Sequence, residues 1–342
     1  MITVFSEEHL LRNVRTELYG GELVRPHECP ERAQIVLEQV RRVGLGQVIG
    51  PERFGLDPVL RIHDPGFVDF LGKAWTDWVA AGNRGEAIPD CWPARRMTLR
   101  RPTNIAGRLA YYAMAAETSI GQGSWEAARA AADVALTAAD HLNKGARSAF
   151  ALCRPPGHHA ARDLYGGYCF LNNAAIAAQY LRDKGAARVA VLDVDFHHGN
   201  GTQDIFYERA DVLYISLHGE PEEAFPYFSG YADETGAGGG AGFNLNFPLP
   251  RGTPFPVWQQ ALAEALRRVR AFGPDALVVS LGVDTFAGDP ISFFKLQSPD
   301  FSTYGRMIAG CGLPTLFTFE GGYAVAEVGL NTVNVLTGFE GG

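Results

Sequence analysis

The segment VLDVDFHHGNG, residues 191–201, begins as a core strand and ends in ionisable side chains. Its first residues belong to the apolar, β-branched run 188–192, which is typical of a buried strand. A Gly-Asn-Gly turn closes the segment, and before it come Asp193, Asp195, His197 and His198. Because an unpaired charge is costly to bury, the pattern predicts that these groups hold a ligand or an ion at a strand end.

The composition indicates a globular chain with a large core. Hydrophobic residues are 46% of the 342 and charged residues 20%. A core of this size is expected to be stable without disulfides or structural metal ions. The five cysteines are widely spaced without a C-x-x-C motif, which argues against disulfides or a Cys-based metal site and indicates a reducing, cytoplasmic setting. We expect no signal peptide and no membrane association. The net charge of −8 disfavours nucleic acid as a partner.

Short β-rich runs alternate with helical patterns along the second half of the chain. The predicted strands are 147–156, 187–196, 211–218, 275–284 and 314–323, and the predicted helices are 124–142, with Ser124 as N-cap, 172–185 and 256–273. These units predict a single α/β domain over residues 1–342, with a mostly parallel sheet and helices on both faces. Ligands of such sheets bind at the carboxyl ends of the strands, where all five runs become polar or glycine-rich.

The second predicted strand carries a candidate metal site. Residues 193, 195 and 197 alternate along an extended strand, so we expect their side chains to share one face. Asp195 and His197 are two candidate ligands, and Asp284, at the end of an apolar run, is the best placed third. An Asp₂His set leaves coordination positions open, as catalytic zinc requires, and its oxygen ligands also suit Fe²⁺, Co²⁺ or Mn²⁺.

Three further residues predict amide hydrolysis. His158 and His159 follow a Pro-Pro-Gly turn, and Tyr323 follows a Gly-Gly pair. A histidine can take the proton of a water that a metal acidifies, and a phenol can donate to the oxyanion. Together with the metal site, these residues indicate a metal-dependent hydrolase.

Six motifs in this order resemble one enzyme family. RPPGHHA, GGYCFLNNAAIAA, LDVDFHHGNGTQDIFY, SLH, SLGVDTF and EGGY strongly resemble the histone deacetylase-like branch of the arginase–deacetylase superfamily, over most of the chain. SEEHLLRNVRTELYGGEL and the segment 72–110 resemble the acetylpolyamine amidohydrolase subfamily in particular. The resemblance implies an open α/β fold of the arginase–deacetylase type. It also implies deacetylation of acetylated polyamines, which are small cationic amines.

The resemblance implies a role for each catalytic residue. Matching positions make Asp195, His197 and Asp284 zinc ligands, His159 the general base, His158 its electrostatic partner and Tyr323 the residue that polarises the carbonyl. Asp193 would orient His158, and Asn200 would orient His159. A neutral amide raises the pKa of a histidine far less than a carboxylate does, so we expect a neutral His159.

The resemblance also implies two sites for K⁺ or Na⁺. The first would use the side chains of Asp193 and Ser216 with the carbonyls of Asp195, His197 and Leu217. The second would use the carbonyls of Phe206, Arg209, Val212 and Phe243. A cation at the first site, together with His158, would offset the cost of burying Asp193.

The substrate tunnel and a subunit contact complete the implied architecture. Matching positions make Tyr168, Phe225 and Gly167 tunnel residues, and Glu17 and Glu117 are candidates for binding a polyamine ammonium group. Glu17 would lie near the tunnel mouth, at a contact of a homodimer that 72–110 helps to build. The basic stretch 94–102 would be a solvated face or a subunit contact. Some relatives carry an acid at the position of Ala106. Without that charge, the preference among polyamines would be broader or shifted toward a shorter diamine.

Three alternatives stay open. A zinc deacetylase of acetyl-lysine proteins shares the catalytic residues and differs in its loops. An arginase-like hydrolase binds two metals and needs more carboxylates, whereas this chain has Asn200. A catalytically silent sensor of acetylpolyamines usually lacks a ligand or the tyrosine, and this chain has both. The acyl group, the preferred polyamine and the choice between zinc and iron also stay open.

Overall fold

The central sheet and its helices explain the alternating pattern of the sequence. The structure is a computed structural model that describes residues 1–94 and 96–342. Its strands are β1 (Ile2–Val4), β2 (Glu17–Tyr19), β3 (Glu22–Val24), β4 (Val48–Ile49), β5 (Ser148–Ala151), β6 (Val189–Asp193), β7 (Val212–Gly219), β8 (Asn244–Leu249), β9 (Ala276–Leu281) and β10 (Thr315–Phe319). Its helices are α1 (Pro30–Val43), α2 (Asp57–Leu60), α3 (Pro65–Ala80), α4 (Ile105–Tyr112), α5 (Ser124–Asn143), α6 (Asn173–Asp183), α7 (Asn200–Phe206), α8 (Phe255–Phe272), α9 (Ser298–Ala309) and α10 (Val328–Glu340). Short 3₁₀ helices span Glu7–Leu11 and Gly238–Gly240.

A parallel sheet forms the centre of the described chain. Its order is β4-β1-β5-β10-β9-β6-β7-β8, and every neighbouring pair is parallel. Strands β2 and β3 form a separate antiparallel hairpin. The predicted α/β fold with a mostly parallel sheet is confirmed, and the carboxyl ends of the strands meet at one edge.

Helices cover both faces of the sheet, so its strands are apolar on both sides. In β6, Val189 and Val191 pack with apolar residues of α5 and α6. The alternate residues Ala190 and Leu192 pack with α8 and α9 on the other face. No helix in the described part of the chain has the length and apolar composition of a bilayer crossing.

The start of α5 corrects the predicted cap. Gly123, with φ 80°, is the N-cap, and Ser124 is the first helical residue. A Cβ at position 123 would come within 2.4 Å of the Leu11 carbonyl oxygen, so a serine cannot replace Gly123 there. The Ser124 hydroxyl instead accepts hydrogen bonds from the Gly121 N–H (3.0 Å) and from Arg12 Nη1 (3.3 Å).

The segment 72–110 begins inside α3 and ends inside α4, so its irregular part is the connection 81–104. This connection carries exposed apolar side chains at Trp92, Met97 and Leu99. Ala106 lies in the first turn of α4. Residue 95, in the basic stretch, lies outside the described residues.

Candidate active site

Asp195, His197 and Asp284 converge at the carboxyl edge of the sheet. Each offers a potential ligand atom, and these atoms lie within 4.8 Å of one another. His197 Nδ1 is 2.9 Å from Asp284 Oδ2 and 3.3 Å from Asp195 Oδ1. Burial alone would lower the pKa of His197, but the two carboxylates raise it to about 10. The three buried side chains therefore attract positive charge, and their nitrogen and oxygen donors suit a divalent metal ion, whose binding displaces the proton.

The loop after β6 corrects the predicted strand. We expected 193, 195 and 197 to alternate along an extended strand, but β6 ends at Asp193. In a longer strand, these backbone N–H groups would donate to a neighbouring strand. Here they donate to carboxylates instead: Asp195 N–H to Asp193 Oδ1 (3.2 Å) and His197 N–H to Asp195 Oδ1 (2.8 Å). Asp284 also follows its strand, three residues after the end of β9. The Asp-His-Asp cluster is therefore built from loops that follow parallel strands.

Gly321 allows the backbone to approach the Asp195 and Asp284 carboxylates closely. Its N–H donates to Asp195 Oδ2 at 2.8 Å. A Cβ at this position would come within 2.4 Å of Asp284 Oδ2 and 2.6 Å of Asp195 Oδ2. The first glycine of the EGGY motif is therefore required by the close approach of the Asp195 and Asp284 carboxylates.

His158 and His159 have different partners. His158 Nδ1 lies 3.1 Å from Asp193 Oδ2, and His159 Nδ1 lies 2.7 Å from Asn200 Oδ1. Burial alone would lower the pKa of His158, but Asp195 and Asp193 raise it to about 10. Burial, and then the positive charges of His158 and His197, hold the pKa of His159 well below its ordinary value. The pair therefore combines a charged and a neutral imidazole, and the amide of Asn200 leaves Nε2 of His159 as its proton acceptor.

Hydrogen bonds fix both polar groups of the peptide bond that precedes Tyr323. Its N–H donates to Asp289 Oδ2 at 2.7 Å. Arg32 donates from Nε to the Gly322 carbonyl (2.6 Å), and its Cζ lies 4.7 Å from the centre of the Tyr323 ring. Burial raises the pKa of Tyr323 well above its ordinary value, so the phenol stays a hydrogen-bond donor.

A cavity of about 490 Å³ joins these groups to the predicted tunnel residues. His159, His197 and Tyr323 line it, and so do Gly167, Tyr168, Phe225, Glu17 and Glu117. The Phe225 ring lies edge-on to His159, with centroids 5.1 Å apart. A Cβ at Gly167 would come within 2.2 Å of His159 Cδ2, so this position must be glycine for the wall to reach the histidine.

The sequence matches the family of histone deacetylase domains over residues 26–339. The chain belongs to the histone deacetylase family. The predicted membership is confirmed, and with it the prediction of a deacetylase. The family and the buried Asp-His-Asp cluster also indicate a catalytic divalent metal.

Relatives of known name include full-length amidohydrolases. The acetylpolyamine amidohydrolase of Mycoplana ramosa is 58% identical over 341 residues, with 100% of each chain covered. Acetylpolyamine amidohydrolase 2 of Pseudomonas aeruginosa is 56% identical, covering 100% of this chain and 99% of its own. The crystal structure of an acetylpolyamine aminohydrolase from Burkholderia pseudomallei superposes with a TM-score of 0.94 at 40% identity, over 99% of this chain and 98% of that one.

The two acids in the cavity of this histone deacetylase family member differ in exposure. Glu17 is only 1% exposed and accepts hydrogen bonds from the Tyr168 hydroxyl (2.7 Å) and the His27 N–H (3.0 Å). Burial raises the pKa of its carboxyl, although both hydrogen bonds oppose the shift. Glu117 is half-buried and accepts from the Gly167 N–H (2.6 Å) and the Thr118 hydroxyl (2.8 Å). Glu17 is thus a buried part of the lining rather than a solvent-facing glutamate.

The residues predicted for monovalent cations lie in two groups around β7. Asp193 pairs in register with Ser216, and its Oδ2 accepts from the Tyr214 hydroxyl at 3.1 Å. Ser216 Oγ lies 2.8 Å from His218 Nδ1, and Leu217 follows it in the strand. In the second group Phe206 ends α7 and Val212 begins β7, with Arg209 between them. The carbonyls of Phe206 and Phe243 there accept the N–H groups of Arg209 and Tyr214, both at 3.0 Å.

The sequence did not predict four residues that support the site. They are Glu28, Arg32, Asp289 and Glu320. Glu320 Oε2 accepts the N–H groups of Gly157 (2.7 Å) and His158 (3.1 Å), and so fixes the histidine turn. The available signal for Arg32 was a cation among Ala33, Val36 and Val40 on the buried side of α1. For Glu320 it was a carboxylate directly after an apolar strand.

Proposed function

We propose that this chain hydrolyses acetylated polyamines to acetate and the free amine. One observation carries the proposal: a single cavity contains His159, His197 and Tyr323 together with the carboxylates of Glu17 and Glu117. The first three suit cleavage of an amide, and the two acids suit a cationic chain attached to it. Full-length relatives named acetylpolyamine amidohydrolase, at 54–58% identity, support the same substrate class.

We propose that Asp195, His197 and Asp284 hold the metal, with zinc as first choice and Fe²⁺ or Co²⁺ as substitutes. When bound, the ion supplies Lewis acidity that polarises the amide carbonyl and acidifies the attacking water. His159, neutral and held by Asn200, accepts the proton of that water and returns it to the leaving amine.

Two further groups act on the charges that develop. Tyr323 donates to the oxyanion that forms when the carbonyl is attacked. His158, positively charged beside Asp193, favours a neutral His159 before the reaction and stabilises negative charge in its surroundings. The pair therefore divides proton transfer and electrostatics between two rings whose centroids are 4.0 Å apart.

A mass-spectrometric screen of the purified protein tests the substrate class. Acetylputrescine, acetylspermidine, acetyl-lysine peptides and acetylated amino acids are offered at equal concentration. We expect deacetylation of the acetylpolyamines at the highest kcat/KM. A preference for acetyl-lysine peptides would replace the proposal with a protein deacetylase, and binding of acetylpolyamines without turnover would indicate a sensor.

We propose further that residues 1–342 form one catalytic domain and that 72–110 contributes to a homodimer. The exposed side chains of Trp92, Met97 and Leu99 in the connection 81–104 support a contact with a second copy. Sedimentation of the wild type and of Met97→Glu tests it. We expect a dimer that the charge at position 97 weakens, and a monomeric wild type would refute the contact.

The monovalent cations are also proposals. Full burial of Asp193 and its register with Ser216 support K⁺ or Na⁺ at the first site. Thermal unfolding in KCl, NaCl and choline chloride at equal ionic strength tests binding. We expect a higher Tm in KCl or NaCl than in choline chloride, because a cation that binds only the folded state stabilises it.

A further inference from the structure

We infer that Glu86 is a positioning residue that fixes both acids of the cavity and thereby its preference for cationic over neutral amides. The inference rests on the proposed function, since it concerns how the same cavity selects its substrate. Glu86 lies in the connection 81–104 and is not among the described residues that line the cavity. Its carboxylate acts on the segments that carry Glu17 and Glu117.

The first segment is the one that precedes Glu17. Glu86 Oε1 accepts the Arg15 N–H at 2.6 Å, and Oε2 accepts the Thr16 N–H (3.3 Å) and hydroxyl (3.0 Å). One carboxylate thus satisfies two consecutive backbone donors and a side chain directly before Glu17. Such a clamp fixes where β2 begins.

The second segment follows Glu117. The Ser119 hydroxyl donates to Glu86 Oε2 at 3.3 Å. Next to it, Ala87 and Ile120 exchange backbone hydrogen bonds of 2.8 and 2.9 Å. Thr118, between Glu117 and Ser119, accepts the Tyr168 N–H at 2.7 Å. The same carboxylate therefore links the segment of the second acid and the tunnel wall to the segment of the first.

The hairpin that carries Glu17 buries little apolar surface, and its other polar anchors are the two hydrogen bonds that Glu17 accepts from the Tyr168 hydroxyl and the His27 N–H. Leu18, Tyr19 and Leu23 are exposed, so burial of apolar surface stabilises β2 and β3 only weakly. The segment 12–16 before it has no helix or strand. The position of the hairpin therefore depends on polar contacts. Arg12, at the start of the segment, donates to the Ser119 carbonyl (2.9 Å), and its own carbonyl accepts from Arg154 Nη2 (2.9 Å). The contacts of Glu86 are the ones placed immediately before Glu17, at Arg15 and Thr16.

Glu86→Gln tests the clamp because it keeps the size of the side chain and turns one acceptor into a donor. The substrates are acetylputrescine and N-pentylacetamide, in which a methyl group replaces the ammonium. We expect kcat/KM for acetylputrescine to fall about two- to tenfold, mainly through KM, the range expected for lost hydrogen bonds. The values for N-pentylacetamide should stay unchanged.

Glu126→Gln is the matched control. Glu126 is exposed and lines the same surface groove as Glu86, together with Thr16 and Gln122. Its substitution removes the same charge and leaves the hydrogen bonds of Glu86 intact. Equal effects of the two variants on acetylputrescine would show that Glu86 acts only through its charge at a distance, and would overturn the inference. Equal losses on both substrates in Glu86→Gln would also overturn it, because a general structural role would then suffice.

The background of Glu17→Ala shows whether Glu86 acts through Glu17. We expect the effect of Glu86→Gln to be smaller there than in the wild type, since one of the two acids being positioned is absent. A full additional loss would contradict the inference. A wild type that does not distinguish acetylputrescine from N-pentylacetamide is a separate result, which refutes the proposed function and removes the basis of the inference with it.

Discussion

The phenolic hydroxyl of Tyr168 donates a 2.7 Å hydrogen bond to Oε1 of Glu17. The same ring lies 5.5 Å, between centroids, from the ring of Tyr323. One residue therefore contacts both the carboxylate assigned to the substrate ammonium and the phenol assigned to its amide. This relationship ties the selection of a cationic chain to the place where the amide is cleaved.

The preference for a cationic substrate should weaken in mild acid. Burial raises the pKa of Glu17 above its ordinary value, so its charge is lost at a higher pH than that of an exposed glutamate as the pH falls. We expect the ratio of kcat/KM for acetylputrescine to that for N-pentylacetamide to decrease as the pH falls through that pKa. Groups that act on both substrates change the two kcat/KM values by the same factor, so their titration does not affect the ratio.

Glu17→Ala is the control for this pH dependence. Its ratio should be several-fold lower than that of the wild type and nearly independent of pH in the acid range, while turnover of N-pentylacetamide stays close to normal. A wild-type ratio that is constant with pH, or a variant with the wild-type profile, would show that Glu17 does not face the ammonium.

Asp284→Ala should remove metal and activity together. Asp284 contributes one of the three clustered ligand atoms, and two protein ligands hold a divalent ion far more weakly than three. Elemental analysis of the wild type should give one divalent ion per chain, and chelation should abolish activity that added Zn²⁺ restores. Two divalent ions per wild-type chain would instead indicate a dinuclear, arginase-like site.

The sequence pattern was sufficient to predict that Asp195, His197 and Asp284 converge, because parallel strands bring their carboxyl ends to one edge. Asp195, His197 and Asp284 could be chosen on that ground, although Asp195 and His197 lie in a loop rather than in the strand. The Asp193 and Asp195 side chains end the strand by accepting backbone N–H groups, and strand periodicity does not contain that information.

The support of the site was harder to predict because it depends on contacts between distant segments. Arg32 reaches the Gly322 carbonyl across 290 positions, and Tyr168 reaches Glu17 across 151. The burial of Glu17 follows from how a short hairpin lies against the body of the protein. Local propensity favours the hairpin itself, through its Gly-Gly turn, but contains nothing about where it docks.

Glu28→Gln should destabilise the fold strongly. Glu28 is buried and lies 2.6 Å from Arg154, 3.3 Å from Arg32 and 3.8 Å from Arg12. Removing its charge leaves three buried guanidinium groups without this anion, and breaking a buried pair costs about 3–5 kcal/mol. Urea unfolding at pH 7 measures the loss. Glu31→Gln, whose ion pair with Arg25 is exposed, should cost about 0–1 kcal/mol.

The destabilisation by Glu28→Gln should also depend on pH. Burial alone would raise the pKa of Glu28, but the three arginines hold it below its ordinary value. A carboxylate with a lowered folded pKa stabilises the protein above its unfolded pKa and loses that contribution as the pH falls through the folded one. The difference between wild type and variant should therefore shrink in acid, and a difference that grows there would contradict the ion-pair explanation.

Tyr323→Phe should impair turnover without impairing binding. The substitution keeps the ring, its contact with Arg32 and the backbone bond to Asp289, and removes one donor to the oxyanion. Loss of one such donor lowers kcat by about 10²–10³. KM for acetylputrescine should change little, because Glu17 and Glu117, the acids proposed to bind the cationic chain, are unchanged. Unchanged metal content and an unchanged Tm would exclude a general defect, and near-normal kcat would remove Tyr323 from the mechanism.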